Sequence, residues 1–271
     1  MARLRPEDAG ESGVSMKTAV PLPLDRRDLD AFITHPWLAA PVQSYDRDAI
    51  LARHAAARLI QDLESINTEY IKEHGRVAFT TIQGRVKEPT RFMKKLQDKC
   101  RKQGEVAGIT QATPQEMYSE VKDLCGVRFS CPYFDEIETA IAKLVRPRLS
   151  DLGYATDLSS DHRYQDKNYL EDGDDVGYRS YHFFVRIPTP VDVYGGVEMC
   201  LCEVQARSEL QHIWAAKSHD LLYDPREGWN FASDEVVDDM KHISNSLRSV
   251  DHLLMRIRQA ARGGVGDEIR T

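Results

Sequence analysis

Glu203-Val204-Gln205-Ala206-Arg207 closes a strand-like run that begins at Val197. Side chains of a strand alternate between two faces. Glu203, Gln205 and Arg207 therefore share one side, and Val197, Met199 and Leu201 share it further back. A face that is apolar and then becomes carboxylate, amide and guanidinium reads as a core strand running out into a reaction cleft. An edge strand meeting water would carry the same letters, so the segment needs companions.

Three other segments supply them. Val121-Lys122-Asp123-Leu124-Cys125-Gly126-Val127-Arg128-Phe129 is a short apolar run with one acid at its start. Two lone carboxylates on separate strands, Asp123 and Glu203, predict either a metal pair or a metal ligand plus a base. The run from Gly177 to Val185 puts a Gly-Tyr turn in front of a third strand, and Gly84 to Lys95 reads as a basic turn leading into a helix. Together these pieces suit phosphoryl chemistry, which asks mostly for positioning and charge neutralisation.

In this order and at these intervals, the four segments resemble the synthetase domain of the RelA/SpoT family, whose members move pyrophosphate from ATP to the 3′-hydroxyl of a nucleotide. The resemblance rests first on Arg85, Lys87 and Lys95, then on Asp123 with Arg128, and next on Tyr178, Ser180 and His182. Glu203, Gln205 and Arg207 follow, and then Trp214, Ala215, His219 and Tyr223, so that about residues 60 to 225 are covered. It implies an α+β fold, a mixed sheet of about five strands flanked by helices, nucleotidyltransferase-like, with further helices at both ends.

The same resemblance assigns roles. Asp123 is expected as a Mg²⁺ ligand, because that ion takes one or two carboxylates alongside phosphate oxygens. Glu203 is expected to activate the acceptor hydroxyl or to complete the metal site. Arg85 and Arg128 resemble a pair that sandwiches adenine, where guanidinium planes stack well. Strict alternation puts Arg128 opposite Asp123 unless Gly126 introduces a bulge. Lys87 and Lys95 resemble holders of the ATP phosphates, and Tyr178 resembles the residue that stacks on the acceptor base. His182 would contact acceptor phosphate or orient Glu203, with Gln205 and Arg207 beside it on the acceptor side. Trp214, His219 and Tyr223 would brace the site.

Two departures from the family pattern stand out. Arg91 replaces a common Ser that helps hold ATP phosphate, so either Thr90 substitutes or Arg91 binds phosphate itself. Glu171-Asp172-Gly173-Asp174-Asp175 is acidic where a Lys usually receives the acceptor's 5′-phosphates. Carboxylates would repel a di- or triphosphate unless a second Mg²⁺ bridges them. The expected reaction is therefore Mg²⁺-dependent transfer from ATP to GDP or GTP. Toxin-like modification of a tRNA 3′ end, with an antitoxin partner, and an adenine-nucleotide acceptor are the alternatives, and an inactive regulator is a fourth. No hydrolase half is expected, since His219-Asp220 is the only His-Asp pair and His35, His54 and His74 lack Asp neighbours.

Composition bounds the rest. In 271 residues, 41% hydrophobic, there is enough apolar material for a real core. No run approaches the roughly 20 apolar residues of a membrane span. The first residues lack the apolar stretch of a signal peptide. The five cysteines contain no C-x-x-C pair, which fits buried thiols in a cytoplasmic protein better than zinc. A net charge of −7 argues against a broad nucleic-acid footprint, though a local basic groove around residues 85 to 102 stays possible.

Along the chain, residues 1–42 read as a loosely ordered arm and 43–232 as the synthetase domain. A helical stripe of Ala52, Ala56, Leu59, Leu63, Ile66 and Tyr70 opens the domain. A strand over 77–83, a helix over 90–101 and a short strand over 154–158 follow, the last after a helix capped by Asp135 and Glu138. Strands over 179–187 and 197–207 come next, and Ser208 with Gln211 caps another helix. Val236, Met240, Ile243, Leu247, Val250, Leu254 and Ile257 make a coiled-coil-like seam in a helix over 233–262, packed on its own domain or used for homo-oligomerisation. Residues 263–271 are expected to be a disordered tail.

Overall fold

A computed structural model describes residues 22, 24–106, 112–191, 196–222 and 233–267. Its centre is one mixed five-stranded sheet in the order β1-β2-β5-β4-β3, with β1 Thr81–Val86, β2 Cys125–Cys131, β3 Lys167–Asn168, β4 Tyr181–Pro190 and β5 Val197–Ser208. Only β2 and β5 run parallel; every other neighbouring pair is antiparallel. The expected α+β architecture is the one observed.

Across one face lies a long helix, α2 (Ala39–His74), which α1 (Leu29–Ile33) precedes. Its buried stripe, Ala52, Ala55, Ala56, Leu59, Leu63 and Ile66, is rich in alanine and so packs close to the strands. At Gly84 the approach is closest: a Cβ there would come within 2.7 Å of Ile60 Cδ1. Gly75 ends the helix at φ 68°, and its N–H bonds back to Ile71 O at 2.8 Å. A chain of short helical pieces, α5 (Glu136–Ala140), a π-turn over Ile141–Val145 and α6 (Arg146–Asp151), adds Ile137, Ile141, Val145 and Leu149 to the same core.

The face of β5 that enters this core is the opposite of the expected one. Cys202, Val204 and Ala206 are fully buried, whereas Val197 and Met199 are 59% and 42% exposed. These apolar odd positions lie beyond the start of β2 and stay exposed among the described residues, so hydrophobicity alone pointed the wrong way. The face that carries Glu203, Gln205 and Arg207 is the open face of the sheet.

A second core corrects the reading of the N-terminal arm. Phe32, Leu38, Tyr45 and Ala49 pack with Phe92, Met93, Leu96 and Cys100 of α3 (Pro89–Val106) and with Met117 and Tyr118 of α4 (Pro114–Ser119). The segment from Arg26 onward is thus helical and packed, because α3 needs a partner for its apolar stripe; residues 1–21 lie outside the described part. The expected basic turn is also different, since Gly84, Arg85 and Val86 belong to β1 itself. Tyr154–Leu158 makes only a single bridge, Ala155 to Arg186. Asp135 forms no capping bond and instead receives Arg258.

Ser208 Oγ accepts the Gln211 N–H at 3.2 Å and starts α7 (Glu209–Leu222). The last helix, α8 (Asp234–Asp267), lies against α7 through Met240 and Leu247, with Ser244 buried on the Gly177 turn and Asp251 on Ser208. Most of the expected seam, Val236, Ile243, Val250, Leu254 and Ile257, stays 38–56% exposed. The contact stripe is chosen by specific bonds, among them Trp214 Nε1 to Met240 O at 2.7 Å and Ser208 Oγ to Asp251 at 2.6 Å. The helix also runs to Asp267, into the segment expected to be a disordered tail.

Phe32 tests the second core. Phe32→Ala should cost about 3–5 kcal/mol and lower the melting midpoint by roughly 6–15 °C. An unchanged thermal melt, followed by circular dichroism, would restore the loosely ordered arm.

Candidate active site

On the open face, strand register brings the polar residues together. Arg85 pairs with Gly126, and Gly126 with Glu203. Gln83 pairs with Arg128, Arg128 with Gln205, and Gln205 with His182. Asp123 lies two residues before β2 begins, so strand alternation does not govern it and no bulge is needed for it to join Arg128. These residues, with Lys95, Tyr178, Arg207 and Trp214, line a cavity of about 610 Å³.

Asp123 is 8% exposed and sits between two lysines: Lys95 Nζ lies 2.7 Å and Lys87 Nζ 3.0 Å from Oδ2. Burial pushes its pKa up, but the two ammonium groups outweigh burial and bring it to about 2. Burial also dominates at Lys87 and lowers its pKa despite Asp123. Oδ1 of Asp123 is buried with no hydrogen-bond partner among the described residues.

Glu203 is held on both oxygens. His182 Nδ1 lies 3.4 Å from Oε1, and Gln205 Nε2 donates to Oε2 at 2.9 Å. Burial raises the Glu203 pKa, and His182 more than reverses that, leaving the carboxyl lowered. Behind His182, the Tyr178 hydroxyl meets Nε2 at 2.9 Å, and Arg207 Nη2 donates to that hydroxyl at 3.0 Å. The row thus runs from Arg207 through the Tyr178 hydroxyl and the His182 ring to Glu203. Arg207 is 1% exposed, and its guanidinium also covers one face of the Tyr178 ring at 5.2 Å.

Most of the expected residues meet here: Arg85, Lys95, Asp123, Arg128, Tyr178, His182, Glu203, Gln205 and Arg207 all line the cavity. Lys87 reaches it through Asp123. Arg91 is absent from the lining. Tyr223 and the side chain of His219 lie outside the described residues. Burial, then the neighbouring Arg207 and Arg85, lowers the Arg128 pKa to about 10, so three guanidinium groups crowd one wall.

The acidic loop behaves differently from its composition. Glu171 pairs with Arg248 of α8. Asp174 lines the cavity but spends Oδ1 on the N–H groups of Tyr178 at 2.8 Å and Val176 at 3.0 Å. Sequence reasoning also passed over Arg179 and Ser244. Arg179 donates to Leu170 O, to Glu171 O and to Asn245 Oδ1, and Ser244 Oγ donates to Gly177 O. Gly177 has φ 91°, and a Cβ there would meet the α8 backbone at Lys241 at 3.1 Å. Tyr178 thus projects from a turn seated on α8, a contact between distant segments with no local signal.

A family model described as "Region found in RelA / SpoT proteins" matches residues 84–228, more than half of the chain. The chain belongs to the RelA/SpoT family. Similar relatives in Bacillus subtilis (strain 168) are GTP pyrophosphokinase YwaC, 23% identical over 233 residues, covering 85% of this chain and 99% of the relative, and GTP pyrophosphokinase YjbM, 26% identical over 183 residues, covering 67% and 74%. Among solved structures, small alarmone synthetase 1 from Bacillus subtilis bound to its product pppGpp overlays with TM-score 0.61 at 21% identity, covering 80% of this chain and 98% of that one. That likeness establishes the fold.

The lysine clasp makes a pH prediction. Because folding lowers the Asp123 pKa from 3.8 to about 2, the stabilisation is full above about pH 4 and is lost as pH falls through 2. It amounts to about 2 kcal/mol. In urea unfolding, the stability gap between wild type and Asp123→Asn should narrow by that amount between pH 5 and pH 2. A constant gap would mean that the clasp does not shift the carboxyl.

Proposed function

We propose that this chain is an ATP:nucleotide 3′-pyrophosphokinase that transfers the β,γ-pyrophosphate of ATP to the 3′-hydroxyl of GDP or GTP. The observation that carries the reading is one cavity holding two buried carboxylates with different surroundings. Asp123 is clasped by cations on one oxygen and unpartnered on the other among the described residues, whereas Glu203 has His182 at one oxygen and Gln205 at the other.

Those surroundings divide the work. Glu203 accepts the proton of the acceptor 3′-hydroxyl, whose oxygen forms the new bond to the β-phosphorus as the bond to the α-phosphate oxygen breaks and AMP leaves. His182 and Gln205 keep Glu203 aimed, and Arg207 fixes Tyr178 through its hydroxyl, leaving the other ring face for the acceptor base. Lys87 and Lys95 neutralise the transferring phosphates, and Arg85 and Arg128 stack on adenine. A divalent cation fits at Asp123, since Oδ1 is free and buried, while no group of three or more His, Cys, Asp or Glu able to hold a metal occurs among the described residues. Bound Mg²⁺ would complete its shell with substrate phosphates and neutralise charge developing on them. With His182 and Gln205 orienting its two oxygens, Glu203 is assigned first to the acceptor hydroxyl and second to the metal.

A free guanine nucleotide is taken as the acceptor because the relatives the chain matches are GTP pyrophosphokinases, and the acidic loop does not exclude its 5′-phosphates: Glu171 faces Arg248, and Asp174 is bound by two amides. No helix among the described residues is long and apolar enough to cross a membrane, in keeping with a cytoplasmic role.

The decisive assay offers γ-³²P-labelled ATP and magnesium to GDP, GTP, ATP and deacylated tRNA separately. Label should pass to GDP or GTP. Asp123→Asn should lower the rate on the order of thousand-fold. Glu203→Gln should lower turnover at least about hundred-fold while binding of a non-hydrolysable ATP analogue stays within about threefold. If analogue binding collapses with turnover, Glu203 holds the metal instead of the acceptor.

A further inference from the structure

The open face of the sheet continues past Glu203, away from Tyr178. Phe184 is the cross-strand partner of Glu203, and Arg186, two residues further along β4, partners Leu201. Two strand residues span roughly 7 Å, within reach of an arginine side chain. Tyr164 is buried on this stretch of sheet, with its ring edge-on to Phe184 at 5.7 Å.

Three cations surround that one ring. Arg163 and Arg186 lie 5.4 Å and Lys122 Nζ 5.6 Å from its centre. Lys122 adjoins Asp123 in the chain and donates to Arg163 O at 2.8 Å, which ties the cluster to the catalytic carboxylate. Lys167 of β3 stands opposite His182 on the same side. Of this group, Arg163 is paired with Asp161, whereas no ion pair of Lys122 or Arg186 within 4.0 Å is found among the described residues.

The surface beside Tyr178 has the opposite sign. Asp174 lines the cavity there, and Asp172 and Asp175 are exposed nearby. An acceptor whose base lies on Tyr178 and whose 3′-hydroxyl meets Glu203 carries another charge, at its 5′-oxygen. The acidic loop, even partly neutralised, supplies carboxylates on that side, and the Tyr164 cluster supplies cations on the other.

We propose that Lys122 and Arg186, standing on Tyr164, form the anion subsite for the phosphate on the acceptor's 5′-oxygen. The inference rests on the reading of the cavity as a 3′-pyrophosphokinase site. The phosphate can come from the polyphosphate of a free nucleotide or from the last phosphodiester of a nucleic-acid 3′ end, since both place a phosphate on the same oxygen. Two cations at one aromatic ring discriminate acceptors that carry this phosphate from nucleosides that lack it.

The test compares wild type, Lys122→Gln/Arg186→Gln and Arg186→Lys, with melting curves to confirm folding. Acceptors are GDP, guanosine and deacylated tRNA, at saturating ATP and magnesium. The double variant should raise KM for the phosphate-bearing acceptor at least tenfold and leave its kcat and ATP-analogue binding within about twofold. Guanosine use should not change, and Arg186→Lys should recover part of the loss. The phosphate-bearing acceptor that wild type uses identifies the source. An unchanged KM for both GDP and tRNA, or an equal loss with guanosine, overturns the subsite. If wild type transfers to none of them, the pyrophosphokinase reading fails separately. Calorimetry of GDP against guanosine then decides the subsite, which stands only if wild type prefers GDP and the double variant does not.

Discussion

The clasp of Lys87 and Lys95 on one oxygen of Asp123 is the point on which the rest of the site hangs. It joins three pieces of chain: the junction of β1 and α3, the body of α3, and the loop entering β2. Each is independently fixed. Tyr45 of α2 donates to Lys87 O at 2.6 Å, and Lys87 N–H bonds to Leu124 O at 2.9 Å. Lys95 is placed by the second core, in which Phe32 and Leu38 hold the buried side of α3. Buried ion pairs seldom repay the desolvation of both partners. A two-to-one arrangement that also leaves Oδ1 without a partner among the described residues is a poor device for stability, and its excess of cations suits an anionic ligand.

Glu203 depends on a different support. Its aim comes from His182, whose ring is set by Tyr178, whose hydroxyl is set in turn by Arg207. Tyr178 stands on a turn that only glycine at 177 permits, pressed against α8. The last helix therefore acts on the chemistry without contributing a side chain to it, through Ser244 on Gly177 O and Asn245 on Arg179. The two carboxylates are served by separate cores, one from the N-terminal helices and one from the C-terminal helix, and the sheet holds them in register.

The parts legible in the sequence were those written in local periodicity. The alternation of β5 put Glu203, Gln205 and Arg207 on one face, and the alanine and leucine stripe of α2 marked its buried side. Which face of β5 is the core was not legible, because Val197, Met199 and Leu201 are apolar without being covered. The same limit applied to α8, where the most regular apolar seam is the exposed one and the contacts go to Ser244 and Asp251. Phe32 and Leu38 carried too little periodicity to announce that they complete a core with α3. Residues that act over sequence separations of 60 or more, such as Arg179 with Asn245 at 66, leave no pattern in either segment alone.

Charge explains why such a site survives in a protein of net charge −7. Arg85, Arg128 and Arg207 stand close enough that Arg207 and Arg85, after burial, lower the Arg128 pKa to about 10, so it stays protonated at neutral pH and the repulsion persists. Arg207 is buried with only neutral partners, and its Nε and Nη1 find none among the described residues. Like charges held together this way destabilise the free protein and favour a polyanion in the cavity. The acids elsewhere on the surface deter unspecific nucleic-acid binding. Positive charge is thus concentrated on the open face of the sheet, where the clasp, the three arginines and the Tyr164 cluster lie around the two carboxylates.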